Sequence, residues 1–133
     1  MKITLVSPYP DIANYGLRVL SACLREAGHE TQMIYMPDFA GDGEFTHVNM
    51  SHERYPREVI DQLIELTAES DMLGVTLMTH YYDSAKQITK AVKDAHGIPT
   101  IWGGFHPSVR PDESARWADY VAIGDAEDLM LKL

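Results

Sequence analysis

At 133 residues the chain has the length of one domain, and it can bury roughly two-thirds of its unfolded surface without covalent staples. Its 45% hydrophobic content is ordinary for a globular protein, and its single cysteine excludes an internal disulfide framework, a zinc–thiolate site and a three-cysteine iron–sulfur site. The net charge of −9, with lysines and arginines scattered, argues against nucleic acid as a partner, and no apolar run nears the roughly 20 residues that span a bilayer.

Strand and helix signals alternate along the chain. Met1-Lys2 leads straight into the apolar strand Ile3–Val6 with no signal-peptide pattern, so a cytoplasmic location is expected. The strand ends at Ser7-Pro8. A helix from about Gly16 follows, with Leu17, Leu20, Cys23, Leu24 and Ala27 on one face and Gly28 as its stop. Thr31–Met36 reads as a second strand, whose mixed polarity suits an edge. Residues 37–56 have no period and carry Gly41, Gly43, His47 and His52; a functional connection and a surface insertion are equally open readings, and the two histidines are read as solvated.

A second helix is expected over Arg57–Ala68, with Val59, Ile60, Leu63, Ile64 and Thr67 inward, followed by the strand Met72–Leu77. Asp83 or Ser84 can cap a third helix in which Ile88, Ala91, Val92 and Ala95 repeat at helical spacing, closed by Gly97. Thr100–Trp102 is the fourth strand. Pro111-Asp112-Glu113 opens a short helix through Trp117, which is read as core packing. Tyr120–Ile123 is the fifth strand, and Asp125 caps a last helix with Leu129, Met130 and Leu133. Five strands joined by helical crossovers predict an α/β fold: a doubly wound, flavodoxin-like (Rossmann-like) parallel sheet in the order 2-1-3-4-5, with a ligand crevice at the switch between strands one and three.

Two segments that run from consecutive strands into their loops hold the most chemistry: Gly74-Val75-Thr76-Leu77-Met78-Thr79-His80-Tyr81-Tyr82-Asp83 and Thr100-Ile101-Trp102-Gly103-Gly104-Phe105-His106-Pro107-Ser108. Both fall at the carboxyl edge of the sheet, where ligands bind, and paired glycines let a flat ligand approach the backbone. The first loop keeps Asp11 and Gly16 at the spacing of the Asp-x-His-x-x-Gly pattern of cobalamin-binding domains, with Ala13 in the histidine place. Thr76-Leu77-Met78 is similar to the family's Ser-x-Leu, Gly103-Gly104 to its Gly-Gly, and Gly124-Asp125-Ala126-Glu127 to the stretch that ends these domains. The chain thus resembles, over nearly its whole length, the N-terminal cobalamin (B12)-binding domain of B12-dependent radical S-adenosylmethionine (SAM) enzymes.

The resemblance implies cobalamin as the cofactor, with its ring across the carboxyl edge and its nucleotide tail in a slot beside the central strands. It assigns to the cofactor Pro8, Tyr9, Asp11, Ala13 and Gly16 in the first loop and Thr76, Met78, Thr79, His80 and Tyr81 after strand three. After strand four it assigns Gly103, Gly104, Phe105, His106 and Pro107, and after strand five Gly124 and Asp125. Gly103, Gly104 and Gly124 leave room for the tail. Thr76, Thr79 and Ser108 are candidate hydrogen-bond partners for it, Tyr81, Tyr82 and Phe105 can pack on ring faces, and Trp102 can wall the slot. Alanine at position 13 cannot coordinate, so cobalt is expected base-off and histidine-off, with Asp11 reduced to turn or cap chemistry. His80 and His106 are read as hydrogen-bond partners of backbone or tail rather than axial ligands, with His106 shaping the slot.

The chain is expected to be a cofactor module. The SAM site and the 4Fe-4S cluster belong to a catalytic radical SAM domain absent from it, supplied in cis or in trans, for methyl transfer or related radical chemistry. No catalytic residue and no metal ligand is assigned in the chain itself. The alternatives are a flavodoxin-like flavin module, for which Ser7-Pro8-Tyr9-Pro10 makes a poor phosphate cradle, a phospho-receiver, which lacks its acids at Val6-Ser7 and Leu77-Met78, and a ligand-free regulatory or structural domain.

Overall fold

A computed structural model describes residues 1–37 and 55–133. Gly41, Gly43, His47 and His52, with the expectations attached to them, lie outside the described residues.

The first strand, β1 (Lys2–Ser7), is buried on both faces because it runs through the interior of the sheet between two neighbours. β2 (Glu30–Tyr35) lies beside it at one edge and buries none of its residues fully, as its mixed polarity predicts. β3 (Met72–Thr76), β4 (Thr100–Gly103) and β5 (Tyr120–Val121) complete the order 2-1-3-4-5, and every pairing is parallel. This is the flavodoxin-like doubly wound topology, with its switch between β1 and β3.

Helices cover both faces. α1 (Tyr15–Glu26) and α6 (Glu127–Met130) pack on one, where Leu17, Leu20, Leu24 and Met130 meet Ile3, Leu5, Met72, Ile101 and Ala122. α2 (Arg57–Leu66) and α3 (Tyr82–His96) pack on the other, where Leu63, Ala85, Ile88 and Val92 meet Val6, Leu73, Val75 and Trp102. Full burial of an aliphatic side chain such as Leu24 or Ile88 contributes about 1.5–3 kcal/mol, so the two apolar stripes hold the layers together. Among the described residues no helix is long and apolar enough to cross a membrane.

Several local expectations change. The 3-10 turn Thr79–Tyr81 runs directly into α3, so Tyr81 takes the cap position and neither Asp83 nor Ser84 caps; Asp83 instead pairs with Lys86 at 3.0 Å in the first turn. A helix absent from the sequence reading, α4 (Phe105–Val109), starts immediately after Gly104, and α5 (Pro111–Ser114) is shorter than expected. Asp125 makes no cap, since α6 begins only at Glu127 behind Ala126. Ala27 and Ala95 are exposed and Cys23 is half-buried, because each sits at the margin of its helix's apolar stripe.

Candidate functional site at the carboxyl edge

The register aligns Leu5, Gly74 and Ile101 across the three central strands. Gly74 has no side chain there, and a Cβ would come within 2.9 Å of Leu5 Cδ2. One strand over, a Cβ at Gly103 would face Ala122 at 3.5 Å and Ala126 at 3.9 Å. This run of missing and small side chains leaves a groove of about 220 Å³ between the sheet and the helix pair α1 and α6. Leu17 and Leu20 wall it on the α1 side and Met130 on the α6 side, while Ile101 and Ala122 form its floor. No side chain of the described residues plugs it.

Of the residues singled out in the sequence, Gly16, Thr76, Gly103, Gly104, Gly124 and Asp125 line this groove. Gly104 is required by the backbone itself. Its φ of +102° is a left-handed conformation, and a Cβ would meet the Leu77 carbonyl oxygen and Thr76 Oγ1 at 3.0 Å. The Ser108 hydroxyl donates to the Gly104 carbonyl (2.8 Å) and accepts from the Gly124 N–H (3.0 Å), which ties the loops after β4 and β5 together at the mouth. The cofactor residues assigned from the sequence did not include Gly74, Leu17, Leu20, Ile101, Ala122, Ala126 or Met130, which also line or border the groove. The available signal was a glycine inside an apolar central strand, with two alanines flanking the turn after β5.

Pro8, Tyr9, Asp11, Ala13, Met78, Thr79, His80, Tyr81 and Phe105 sit outside the groove, in the loops that rise above the carboxyl edge. Tyr9 and Tyr81 stack at 4.7 Å between centroids, and His80 meets Tyr81 edge-on at 5.1 Å. Burial raises the pKa of the Tyr9 phenol, helped by the neighbouring Asp11 and Tyr81 and opposed by Ser7, so the phenol holds its proton. Its oxygen accepts from Asn14 Nδ2 (3.1 Å), while Asn14 Oδ1 accepts from Leu17 N–H (3.2 Å) and caps α1. Asp11 Oδ1 accepts from the Ala13 N–H at 3.0 Å, which is turn chemistry. The Ser7 hydroxyl donates to the Tyr9 carbonyl, which leaves little of a phosphate cradle. Met78, Phe105, Ile12, Tyr15 and Ile123 expose apolar surface along the same rim.

His106 and Pro107 are buried away from the groove. His106 packs on Tyr82, and Tyr82 lies against Trp102 and the α3-side core, so neither His106 nor Tyr82 reaches the groove. Trp102 also points to that far face, fully buried, with its indole N–H donated to Thr89 Oγ1 at 2.8 Å, and it does not wall the groove. Period-two alternation accounts for this: Ile101 and Gly103 face α1 and α6, so Trp102 must face α3.

Comparison with known proteins gives two positive findings. The model of one protein family, described as the B12 binding domain, matches residues 1–133, the whole chain. Among solved structures, a flavodoxin from the domain Archaea is similar at 14% identity, over 99% of this chain and 90% of that one, with a TM-score of 0.48. No curated protein matches.

Proposed function

Because the chain belongs to the B12 binding domain family and takes cobalamin as its cofactor, we propose that it holds the cofactor base-off and histidine-off, as the cofactor module of a radical SAM enzyme. The groove carries this reading. At about 220 Å³ it is smaller than the roughly 300–1,000 Å³ that encloses a whole drug-sized ligand, so it suits a flat heterocycle and its linker but not a macrocycle. Its shape comes from side chains that are missing at Gly74 and Gly103, which is the form a backbone takes where a planar group lies against it.

In this reading Leu17, Leu20, Ile101, Ala122 and Met130 contact the benzimidazole arm, and the Thr76 hydroxyl and loop N–H groups bond its polar linker. The rim loops support the corrin ring. Bound cobalamin supplies a cobalt centre capable of group transfer and radical chemistry. The chain's own part is to bind, to orient and to keep water from the lower face. Ala13 offers no donor there, and the neighbouring phenol of Tyr9 keeps its proton and already accepts from Asn14. The loop motifs support a radical SAM partner domain in cis or in trans, with the chain acting as one domain in the cytoplasm.

The test is direct. The full chain, mixed with hydroxocobalamin and passed over a gel-filtration column, retains a red or orange corrinoid whose absorbance is that of the base-off form. Corrinoid that elutes apart from the protein, or that stays base-on when bound, overturns the reading.

A further inference from the structure

The side chain of His106 is only 3% exposed, yet its Nε2 has no hydrogen-bond partner among the described residues. The Glu113 carboxylate, on α5, lies 3.7 Å from it. On the other side of the ring, Nδ1 lies 3.1 Å from the Thr79 hydroxyl, at the start of the turn that carries His80 and Tyr81 to the rim. A neutral imidazole places its proton on one nitrogen, and the other must accept. A proton on Nδ1 would leave a bare, buried Nε2 lone pair facing a carboxylate, which is both unsatisfied and repulsive. A proton on Nε2 points toward that carboxylate and leaves Nδ1 to accept.

We propose that Glu113 fixes His106 in the Nε2–H form, so that Nδ1 draws in the Thr79 hydroxyl proton and Thr79 presents only oxygen lone pairs to a bound ligand. His106 is then a positioning residue for the cofactor rim, although it never touches the cofactor. Thr79 becomes an acceptor for N–H donors, and the periphery of a corrinoid carries primary amides that provide them. A ligand with carboxylates at the same places meets two lone pairs and is disfavoured. The inference deepens the cobalamin reading and rests on it for the identity of the ligand, but the proton position is a property of the protein alone.

The experiment has two readouts on the full chain. Long-range proton–nitrogen correlation spectra of the uniformly nitrogen-15-labelled protein, with His106 assigned through its backbone, show the Nε2–H pattern, and in Glu113→Gln the Nδ1–H form appears. A wild-type spectrum with Nδ1 protonated, or with both nitrogens protonated, overturns the proposal. Hydroxocobalamin titrations then show Thr79→Ser near wild type and Thr79→Val weaker by about tenfold, the effect of one hydrogen bond. Equal affinity in Thr79→Val overturns the presentation of Thr79. If the wild type binds no corrinoid, the cobalamin reading fails by itself, and the spectra still decide the proton.

Discussion

Tyr9 and Tyr81, one from the loop after β1 and one from the loop after β3, stack with their planes 30° apart and so bridge the switch point of the sheet. Stacked aromatic pairs contribute about 0.5–1.5 kcal/mol beyond their buried area. Tyr81→Ala is therefore expected to lower the unfolding free energy by about 1 kcal/mol, read from urea midpoints. An alanine variant that unfolds with the wild type would show that the rim loops are held by other means.

Gly103 gives the sharpest probe of the groove. Its φ lies outside the left-handed region and a Cβ there would meet only ordinary contacts with Ala122 and Ala126, so a side chain can be added without strain in the backbone. Gly103→Val is expected to fold, to lose cobalamin affinity by more than about tenfold, and to keep its affinity for cobinamide, which lacks the nucleotide arm. A parallel loss for both corrinoids would place the arm elsewhere.

On the far face, the buried hydrogen bond from Trp102 Nε1 to Thr89 Oγ1 predicts a stability effect with no binding effect. Thr89→Val strands the indole N–H and is expected to cost about 1–3 kcal/mol. Corrinoid titration of the folded variant should match wild type, because Trp102 points away from the groove. A binding defect without a stability defect would reverse the assignment of faces.

The sheet order was legible because each strand ended at a turn signal and each helix repeated at 3.6 residues. Leu17, Leu20 and Leu24 marked α1, and Ile88 and Val92 marked α3, without any knowledge of contacts. The glycines at the mouth were legible as positions without bulk, and Gly103, Gly104 and Gly124 all line the groove. What escaped was which face each residue serves. His106 and Trp102 stood in a motif beside Gly103 and Gly104, yet alternation sends Trp102 to the α3 side, and α4, which begins at Phe105, carries His106 inward against Tyr82. The walls from Leu17, Leu20 and Met130 escaped for the opposite reason: a leucine lining a groove and a leucine filling a core have the same spacing in sequence.

Asp119 carries a pH prediction. Burial raises its carboxyl pKa, but hydrogen bonds from Lys93 Nζ (2.8 Å) and from the N–H and hydroxyl of Thr100, with the Lys93 charge, outweigh that effect and hold it below the usual value. A depressed folded pKa gives stability that is present above the unfolded value, near 3.9, and is lost as pH falls through the folded one. Wild type is thus expected to lose stability more steeply than Asp119→Asn below about pH 4, with parallel curves above pH 5. Urea unfolding across that range checks it, and parallel curves throughout would remove Asp119 from the acid response.

Ala13 offers a test of the proposed histidine-off binding. It is exposed, it directly precedes the α1 cap Asn14, and its N–H is held by Asp11. The Asp11 turn and the Asn14 cap use side chains other than its own, so Ala13→His adds an imidazole at the rim without removing a contact. Stability should change by no more than about 0.5 kcal/mol. If the loop lies beneath cobalt, the cobalt(II) resonance of the loaded variant gains the three-line nitrogen splitting that wild type lacks. Splitting already present in wild type would mean that a nitrogen donor other than residue 13 reaches the metal, and the histidine-off or base-off reading would fall. An unchanged spectrum in a variant that binds corrinoid normally would instead place the loop away from the lower face. The two failures are separable because one is read on wild type alone and the other only on the variant.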